Sequence, residues 1–440
     1  MPLSINIKNS LLLISEKIII LGMAFLTSVL LARVAGPEIF GQFSYITSFV
    51  ALFAPLCVMG LNNIATKYFV KYPKHSHHYF LTALTIRFFG AFICITSGSI
   101  SAYLLGIESQ QLTFIITLLA LQSFTLLYLV EFYFLAKRQV IYTLTIRLTV
   151  VILLGAIKIF IILNGANLHN LIIIHGLEFV CIGLGYLVLY FKQGHHRLNQ
   201  IDRAVSQQSV YGFFQKGKWL LLSGIAAALY LKIDQVMIGY FQNAEQVAYY
   251  AAAAKLSEFW YVFPVLIANA FNAKLIKLKQ TGNEVYQDFL LQILSVMVAA
   301  ALIISILMTI LASPIIQLIY GADYQTSAAI LSIHIFATLF IFQRAILSKW
   351  LIIEANYKFS LYSHGAGAVS NIGLNLLLIP LYGGIGAAWA TLFSYIIASF
   401  LSLLFTKQTR EFMKLMITAM ITWPLILTNQ FKTNKTQSNS

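Results

Sequence analysis

The stretch Tyr230–Glu258, YLKIDQVMIGYFQNAEQVAYYAAAAKLSE, reads as the end of one apolar helix, a short polar turn and the start of the next helix. Lys232, Asp234, Lys255 and Glu258 lie inside these otherwise apolar segments. A charged side chain at the centre of a bilayer costs at least ~2.5–3.5 kcal/mol. Four such groups in two consecutive spans indicate a functional role. The remaining chain is expected to be a scaffold that holds these two spans in place.

Composition predicts that the whole chain is a membrane protein. Of its 440 residues, 59% are hydrophobic and 10% are charged, whereas soluble domains carry about 25% charged residues. Apolar runs near ~20 residues recur to the end of the chain, and that is the length of a helix that crosses the hydrocarbon core. The first run, Leu11–Ala32, has no small-residue cleavage site and is predicted to be a retained span rather than a signal peptide.

The apolar runs predict about twelve membrane-spanning helices and therefore an all-α integral membrane fold. The predicted spans cover residues 10–32, 41–62, 80–105, 112–135, 141–163, 170–191, 217–241, 247–273, 288–312, 327–348, 359–379 and 384–405. Lys and Arg concentrate in alternate loops, as the positive-inside rule requires. We therefore expect both termini to be cytoplasmic, and we attribute the net charge of +15 to topology rather than to nucleic-acid binding.

A weak internal repeat divides the chain into halves. The first span exits through Ala35–Ser44 and the seventh through Asn243–Ala251, with Glu38 matching Glu245. The sequence thus predicts an N-terminal six-helix lobe (residues 1–205), a C-terminal six-helix lobe (206–410) and a cytoplasmic or interfacial tail (411–440). Because six spans is an even number, the two lobes would share one orientation, as in transporters built from parallel repeats.

Four segments, in register over nearly the whole chain, resemble the bacterial polysaccharide exporters and O-antigen (Wzx-type) flippases. They are Leu31–Tyr45 (LARVAGPEIFGQFSY), Lys232–Leu256, Ile319–Tyr324 (IYGADY) and Pro380–Thr391 (PLYGGIGAAWAT). The family belongs to a superfamily that includes multidrug and toxic-compound extrusion (MATE) carriers and lipid II flippases. This chain departs from the family at Ala248, where a glycine is frequent.

The resemblance implies two lobes around a central cavity that opens alternately to each side of a bacterial inner membrane. It implies a substrate, an undecaprenyl-diphosphate-linked oligosaccharide such as an O-antigen repeat unit, that moves from the cytoplasmic to the periplasmic leaflet. The glycosyltransferases that build the repeat unit and the polymerase that consumes it are the partners implied, together with membrane lipids. We expect a monomer.

Charged residues within the spans are the candidate site. A diphosphate headgroup that crosses the bilayer needs cationic partners, which Lys and Arg supply. The predicted substrate-binding cations are Lys255, Lys232, Lys158, Arg87, Arg147 and Arg344. The three arginines are also close enough to the inner face to reach it with their side chains, which would be a structural role.

Three carboxylates in the same spans are predicted to pair with these cations or to couple transport to a proton or sodium ion. They are Asp234, Glu258 and Glu178. Glu258 lies three residues from Lys255, on one helix face, so the two side chains are able to neutralise each other. Glu178 is a potential partner of Lys158, since their spans are consecutive.

Other chemistry is not favoured. The stretch Gly212–Lys218 (GFFQKGK) is followed by Trp219 instead of the Ser or Thr of a phosphate-binding loop. Adjacent histidines at 77–78 and 195–196 lack acidic or thiolate help for a metal ion. We expect a transporter with no catalytic residues, metal or cofactor. The alternatives are a cation-coupled multidrug exporter, which would want an acidic cavity, and a membrane polymerase or glycosyltransferase, which would want a longer outer loop.

Overall fold

Apolar runs form helices throughout the described part of the chain, and this confirms the all-α fold. The structure is a computed structural model, and it describes residues 2–165, 167–193 and 207–438. The chain divides into two compact units, Met1–Val236 and Met237–Ser440, which we call unit 1 and unit 2. The lobe boundary predicted at residues 205–206 and the histidines 195–196 lie outside the described residues.

Unit 1 contains the first eight helices, except that the end of α8 belongs to unit 2. They are α1 (Pro2–Val58), α2 (Asn62–Lys71), α3 (Ser76–Leu104), α4 (Ser109–Gln122), α5 (Leu129–Ala136), α6 (Val140–Leu163), α7 (Leu168–Lys192) and α8 (Gln207–Phe241). A 3₁₀ segment, Ser123–Tyr128, joins α4 to α5 within one continuous helical stretch. At the start of α7 the Asn167 side chain accepts a hydrogen bond from the His169 N–H at 2.9 Å, which caps the helix.

Unit 2 contains eight further helices. They are α9 (Ala244–Glu258), α10 (Val262–Thr281), α11 (Asn283–Ile310), α12 (Ala312–Ile319), α13 (Thr326–His334), α14 (Ala337–Ile353), α15 (Tyr357–Ser399) and α16 (Lys407–Ser438). The turn before α9 ends in an N-cap of the same kind, because the Asn243 side chain accepts from the Gln246 N–H at 2.9 Å.

Ten helical stretches of the described residues are long and apolar enough to cross a membrane. Two of them, Ser15–Lys71 and Lys358–Phe405, are much longer than one span and contain a non-helical glycine, Gly36 and Gly383 respectively. Counted as two segments each at these glycines, they raise the ten stretches to twelve, the number predicted from the sequence. The predicted loop between residues 32 and 41 is wrong in extent, since the chain is helical on both sides of Gly36, whose φ is 77°.

The core of unit 1 is rich in aromatic side chains from α2, α3, α5 and α7. Tyr133 meets the Phe69 ring at 5.4 Å, and Phe80 stacks on Tyr190 at 4.3 Å between ring centroids. Small residues bring backbones close elsewhere: a Cβ on Gly90 of α3 would stand 2.3 Å from the Leu56 carbonyl oxygen of α1. The core of unit 1 is therefore tightly packed.

The core of unit 2 is built from α11, α14 and α16. Phe412, Met416 and Ala419 of α16 are buried in one cluster with residues such as Leu294 and Leu347. The Phe412 ring lies 5.0 Å from Trp350. The segment predicted as a tail therefore contributes its first turns to the core of this unit.

Candidate functional site

Arg87 lies on α3 at the centre of unit 1 and is fully buried, with 0% of its surface exposed. Its Nη1 donates to the Leu126 carbonyl at 3.2 Å, and its Nη2 donates to the Asn62 side-chain oxygen. Both acceptors are neutral. Among the described residues its Nε has no hydrogen-bond partner. Arg87 thus keeps a positive charge that no contacting carboxylate neutralises, an expensive arrangement in a low-dielectric interior.

A cavity of about 280 Å³ lies beside this guanidinium, inside unit 1. Its polar lining comprises Asn62, Arg87, Gln122, Thr125, Tyr128 and Glu131, and its apolar lining comprises Ala54, Val58, Phe132 and Phe179. The Gln122 side chain also donates to the Val50 carbonyl at 3.2 Å and ties α4 to α1. The cavity therefore combines a largely apolar wall with a few hydrogen-bonding groups, among them the buried Arg87 guanidinium.

Arg147, on α6, is held by two carboxylates, one of which, Glu131, lines the same cavity. Its Nη1 donates to Glu16 at 3.2 Å and to Glu131 at 3.1 Å, and its Nη2 pairs with the other Glu131 oxygen. The guanidinium carbon lies 5.6 Å from the Tyr128 ring and 5.7 Å from the Tyr186 ring. Because Tyr128 and Glu131 also line the cavity, the structure brings Arg87 and Arg147 to one polar region.

Lys158 of α6 and Glu178 of α7 form an ion pair across neighbouring helices. The Lys158 ammonium lies 3.4 Å from Nδ1 of His175, one turn before Glu178. Both charged side chains are largely buried, at 12% and 22% exposure. Each member of this pair neutralises the other's charge. Lys158 therefore has a carboxylate partner, whereas Arg87 contacts only neutral oxygens.

Lys232 and Asp234 lie two residues apart on α8, also in unit 1. Asp234 is 2% exposed and Lys232 is half-buried. Between α8 and α1 the Ser48 hydroxyl donates to the Gln235 side-chain oxygen at 2.8 Å, which fixes the rotation of this part of α8. The structure therefore buries the Asp234 carboxylate more deeply than the neighbouring Lys232 ammonium.

Unit 2 contains the other three predicted residues. Lys255 and Glu258 are half-buried on α9. Arg344 of α14 donates to the Ala398 carbonyl at 2.7 Å and to the Ser363 hydroxyl at 2.9 Å, both on α15, and is 7% exposed. Arg344 thus bridges two helices of its own unit.

Several polar partners were missed by sequence reasoning. Asn62, Glu16 and Glu131 are absent from the predicted site, although they hold two of the predicted arginines. In unit 2, Ser257 contacts Nδ1 of His334 at 2.5 Å and the Tyr250 hydroxyl contacts Thr391 at 3.0 Å. One available signal was the position of Glu131 and Arg147, which lie on either side of the short turn that joins the consecutive helices α5 and α6.

The family follows from sequence comparison. The model of the polysaccharide biosynthesis protein family matches residues 7–270, and that of the lipid II flippase MurJ matches residues 180–430. The chain belongs to the polysaccharide biosynthesis protein family. It is a transporter rather than an enzyme, and the predicted resemblance to flippases of this superfamily is confirmed. No curated protein sequence matches the chain.

Solved structures share the fold. The chain resembles the lipid II flippase MurJ in an inward closed conformation, with a TM-score of 0.65 and 16% identity over 96% of this chain and 93% of that one. An inward-facing multidrug resistance MATE transporter of the MOP superfamily matches with a TM-score of 0.65 and 13% identity over 90% and 96%. A mutant of the Vibrio cholerae MATE transporter VcmN matches with 0.56 and 13% over 93% and 98%. The chain therefore has the multi-pass membrane fold shared by lipid flippases and related transporters.

Proposed function

We propose that this protein translocates an undecaprenyl-diphosphate-linked oligosaccharide, an O-antigen or similar repeat unit, from the cytoplasmic to the periplasmic leaflet of a bacterial inner membrane. The headgroup moves through a cationic path by alternating access while the polyprenyl chain stays in lipid. The family match supports a role in polysaccharide synthesis, and the match of residues 180–430 to a lipid II flippase supports a lipid-linked substrate.

The charge balance of unit 1 is the observation that carries the choice of an anionic substrate. Glu16 and Glu131 are both engaged by Arg147, and Glu178 is engaged by Lys158. Arg87 contacts only neutral oxygens and lines a cavity. These three carboxylates already have cationic partners, whereas the Arg87 guanidinium contacts no carboxylate and is available to a phosphate oxygen. A carrier of organic cations needs the opposite, a carboxylate that is available to its substrate.

Coupling to an ion gradient belongs to the same proposal. Asp234 and Glu258 are the carboxylates at membrane depth that would take up a proton or a sodium ion and reset the carrier. Glycosyltransferases and the repeat-unit polymerase are its proposed partners, since they supply and consume the substrate. The protein would act as a monomer, and Lys255, Lys232 and Arg344 are proposed as further substrate-binding cations.

The test is the sidedness of lipid-linked oligosaccharide in cells that lack the protein. We expect repeat units to accumulate facing the cytoplasm and surface polysaccharide to be lost, with both effects reversed by the wild-type gene. Asp234→Ala and Lys255→Ala proteins should be produced at normal levels and fail to restore export. Normal sidedness in the deleted strain would refute the proposal.

A cation-coupled multidrug exporter is the second candidate, because a multidrug MATE transporter matches with the same TM-score of 0.65 as the lipid II flippase. The same strain discriminates between the two. A drug exporter predicts normal polysaccharide and increased sensitivity to cationic drugs, and it would leave Arg87 without a role in substrate binding.

A further inference from the structure

One end of unit 1 carries a group of lysines arranged on aromatic rings, which we call the basic platform. It consists of Lys67, Lys71, Lys74, Lys216 and Lys218 with the rings of Tyr68, Tyr72, Tyr79 and Phe213. The platform is formed by α2, the turn after it and the start of α8. By the distribution of loop charges this end is expected to face the cytoplasm.

The rings form a continuous block. Tyr68 lies 4.9 Å from Tyr79 and 4.7 Å from Phe213, and Tyr72 lies 5.6 Å from Tyr79. The neighbouring His77 contacts the Tyr190 hydroxyl at 2.6 Å, which connects the block to the core of unit 1. The surface that the lysines rest on is therefore rigid rather than a loose loop.

Two lysines are fixed on this block. The Lys216 ammonium donates to the Tyr68 hydroxyl and lies 4.8 Å from the centre of the same ring. The Lys71 ammonium lies 5.1 Å from the Tyr72 ring. Both side chains remain exposed. Ammonium groups that are held in place before a ligand arrives lose less side-chain freedom on binding, which favours a defined anion site.

No carboxylate offsets these charges within the segments that build the platform. Residues 62–80 and 207–219 contain five lysines and neither Asp nor Glu. Lys67 and Lys71 are one turn apart on the exposed side of α2, opposite the buried Ala65 and Phe69. A net charge this high, concentrated on one surface, suits a ligand with more than one negative charge.

Apolar side chains surround the lysines at the same end. Val70 is 61% exposed, Tyr211 63% and Trp219 50%. Exposed apolar and aromatic groups beside lysines are typical of the level of a bilayer where headgroups meet hydrocarbon. A lipid that binds here keeps its chain in the membrane while its phosphates reach the ammonium groups.

We propose that the basic platform binds the diphosphate of the polyprenyl-linked substrate in the cytoplasmic leaflet before the headgroup enters the transport path. The inference rests on the proposed function and adds a capture site outside the membrane-embedded charges. A diphosphate fits better than a phospholipid headgroup, because two ammonium groups held on one block of rings favour a compact double charge over a diffuse layer of single charges.

The experiment measures binding of undecaprenyl diphosphate to the full-length protein in phosphatidylcholine nanodiscs, with phosphatidylglycerol as the competing anionic lipid. The variant Lys71→Gln/Lys216→Gln should weaken undecaprenyl diphosphate binding at least about tenfold and leave phosphatidylglycerol binding within about twofold. Tyr68→Phe, which keeps the ring and removes the hydroxyl, should give an intermediate loss. The matched control is Lys137→Gln, whose ammonium lies 4.3 Å from the Tyr133 ring, outside the platform.

Flipping assays with the same proteins separate capture from transport. The double variant should flip slowly at low substrate and reach the wild-type rate at saturation, with an unchanged melting temperature. Unchanged undecaprenyl diphosphate binding in the double variant would overturn the platform alone, and an equal loss of both lipids would identify it as a phospholipid site. Wild-type protein that does not bind undecaprenyl diphosphate would overturn the proposed function and the platform together.

Discussion

At the scale of single residues, Arg87 and Asn62 offer a direct test of anion binding in unit 1. Asn62→Asp would place a carboxylate on the guanidinium and neutralise it, while keeping the hydrogen bond that holds the two side chains. We expect flipping to fall at least about tenfold, with the melting temperature retained, since the new pair replaces one contact by a charged equivalent. Both are measured on purified protein in proteoliposomes.

Asn63→Asp is the matched control for this change. It adds the same carboxylate one position further along α2, where the side chain is exposed, and should leave flipping within about twofold. If Asn62→Asp flips at the wild-type rate, Arg87 is a structural residue and the cavity is not part of the substrate path.

The pair Lys158–Glu178 separates substrate binding from internal neutralisation. Lys158→Met alone leaves a largely buried carboxylate without its partner and should lower the free energy of unfolding by about 1–3 kcal/mol. The double variant Lys158→Met/Glu178→Gln should recover stability but not flipping if the cation contacts the substrate. Thermal melting of the single and double variants measures the change in stability, and their flipping rates measure the contribution of Lys158 to transport.

The ion pair of Lys279 and Glu354, 2.7 Å long and partly exposed, is the control for that experiment. Its double replacement Lys279→Met/Glu354→Gln should leave flipping unchanged. Normal flipping by Lys158→Met/Glu178→Gln would instead assign Lys158 to the structure alone.

The charges themselves were readable from the sequence, because a Lys or Arg inside an apolar run stands out against its neighbours. Their partners were not. Arg147 meets Glu16 from a helix 131 positions earlier, and this contact depends on how α1 packs against α6. Asn62 carried no signal at all, since an amide near the end of a span is commonplace until a guanidinium is found beside it.

At the scale of elements, Gly383 interrupts the helical geometry of α15 and allows the two parts of this helix to change direction. Its φ of 54° lies in the left-handed region, and a Cβ there would stand 2.9 Å from the Gln246 side-chain oxygen of α9. Gly383→Ala should therefore lower the free energy of unfolding by about 1–2 kcal/mol. Gly365→Ala, in the same helix with open space around it, should leave the melting temperature equal or higher. Equal destabilisation by both would contradict the argument.

The number and bounds of most spans follow from the length of the apolar runs, since the bilayer fixes the helix length. The length of the loop at residues 32–41 was overestimated because a single glycine with a positive φ, as at Gly36, is enough to end one helix and begin the next. The 3₁₀ segment Ser123–Tyr128 has no sequence signature, since its residues are as apolar as those of the helices on either side.

The last helix shows where hydropathy alone is insufficient. Lys414 and Pro424 interrupt the apolar stretch, and the sequence therefore favoured an interfacial tail. In the structure Phe412, Met416 and Ala419 are buried in the core of unit 2, whereas Ile421 and Leu425 remain 72% and 67% exposed. An interfacial helix would present polar side chains on its outer face. The exposed face of α16 is polar at its start, at Glu411 and Lys414, and apolar further along, at Ile421 and Leu425, while its buried face packs on α11.

At the scale of the whole molecule, energy has to come from outside the chain's own chemistry, because the sequence has no phosphate-binding loop and the family is one of transporters. A proton that moves down a gradient of one pH unit supplies about 1.4 kcal/mol, enough to change a rate by up to about tenfold. A carboxylate at membrane depth is the group able to receive it. Asp234, 2% exposed on α8, is the most buried of the predicted coupling carboxylates.

We therefore predict that flipping in proteoliposomes accelerates several-fold, and by at most about tenfold, when an inward proton or sodium gradient is imposed, and that Asp234→Asn removes this response. The reason is that the amide can neither exchange a proton nor replace the carboxylate as a cation ligand. The flipping rate would then no longer depend on either gradient. Glu245→Gln is the control, since that carboxylate is exposed in the first turn of α9. The assay follows a fluorescent lipid-linked oligosaccharide with each gradient applied separately. A wild-type rate that is insensitive to both gradients would show that substrate flux alone drives transport, and Asp234 would then be a partner of cations rather than a coupling site.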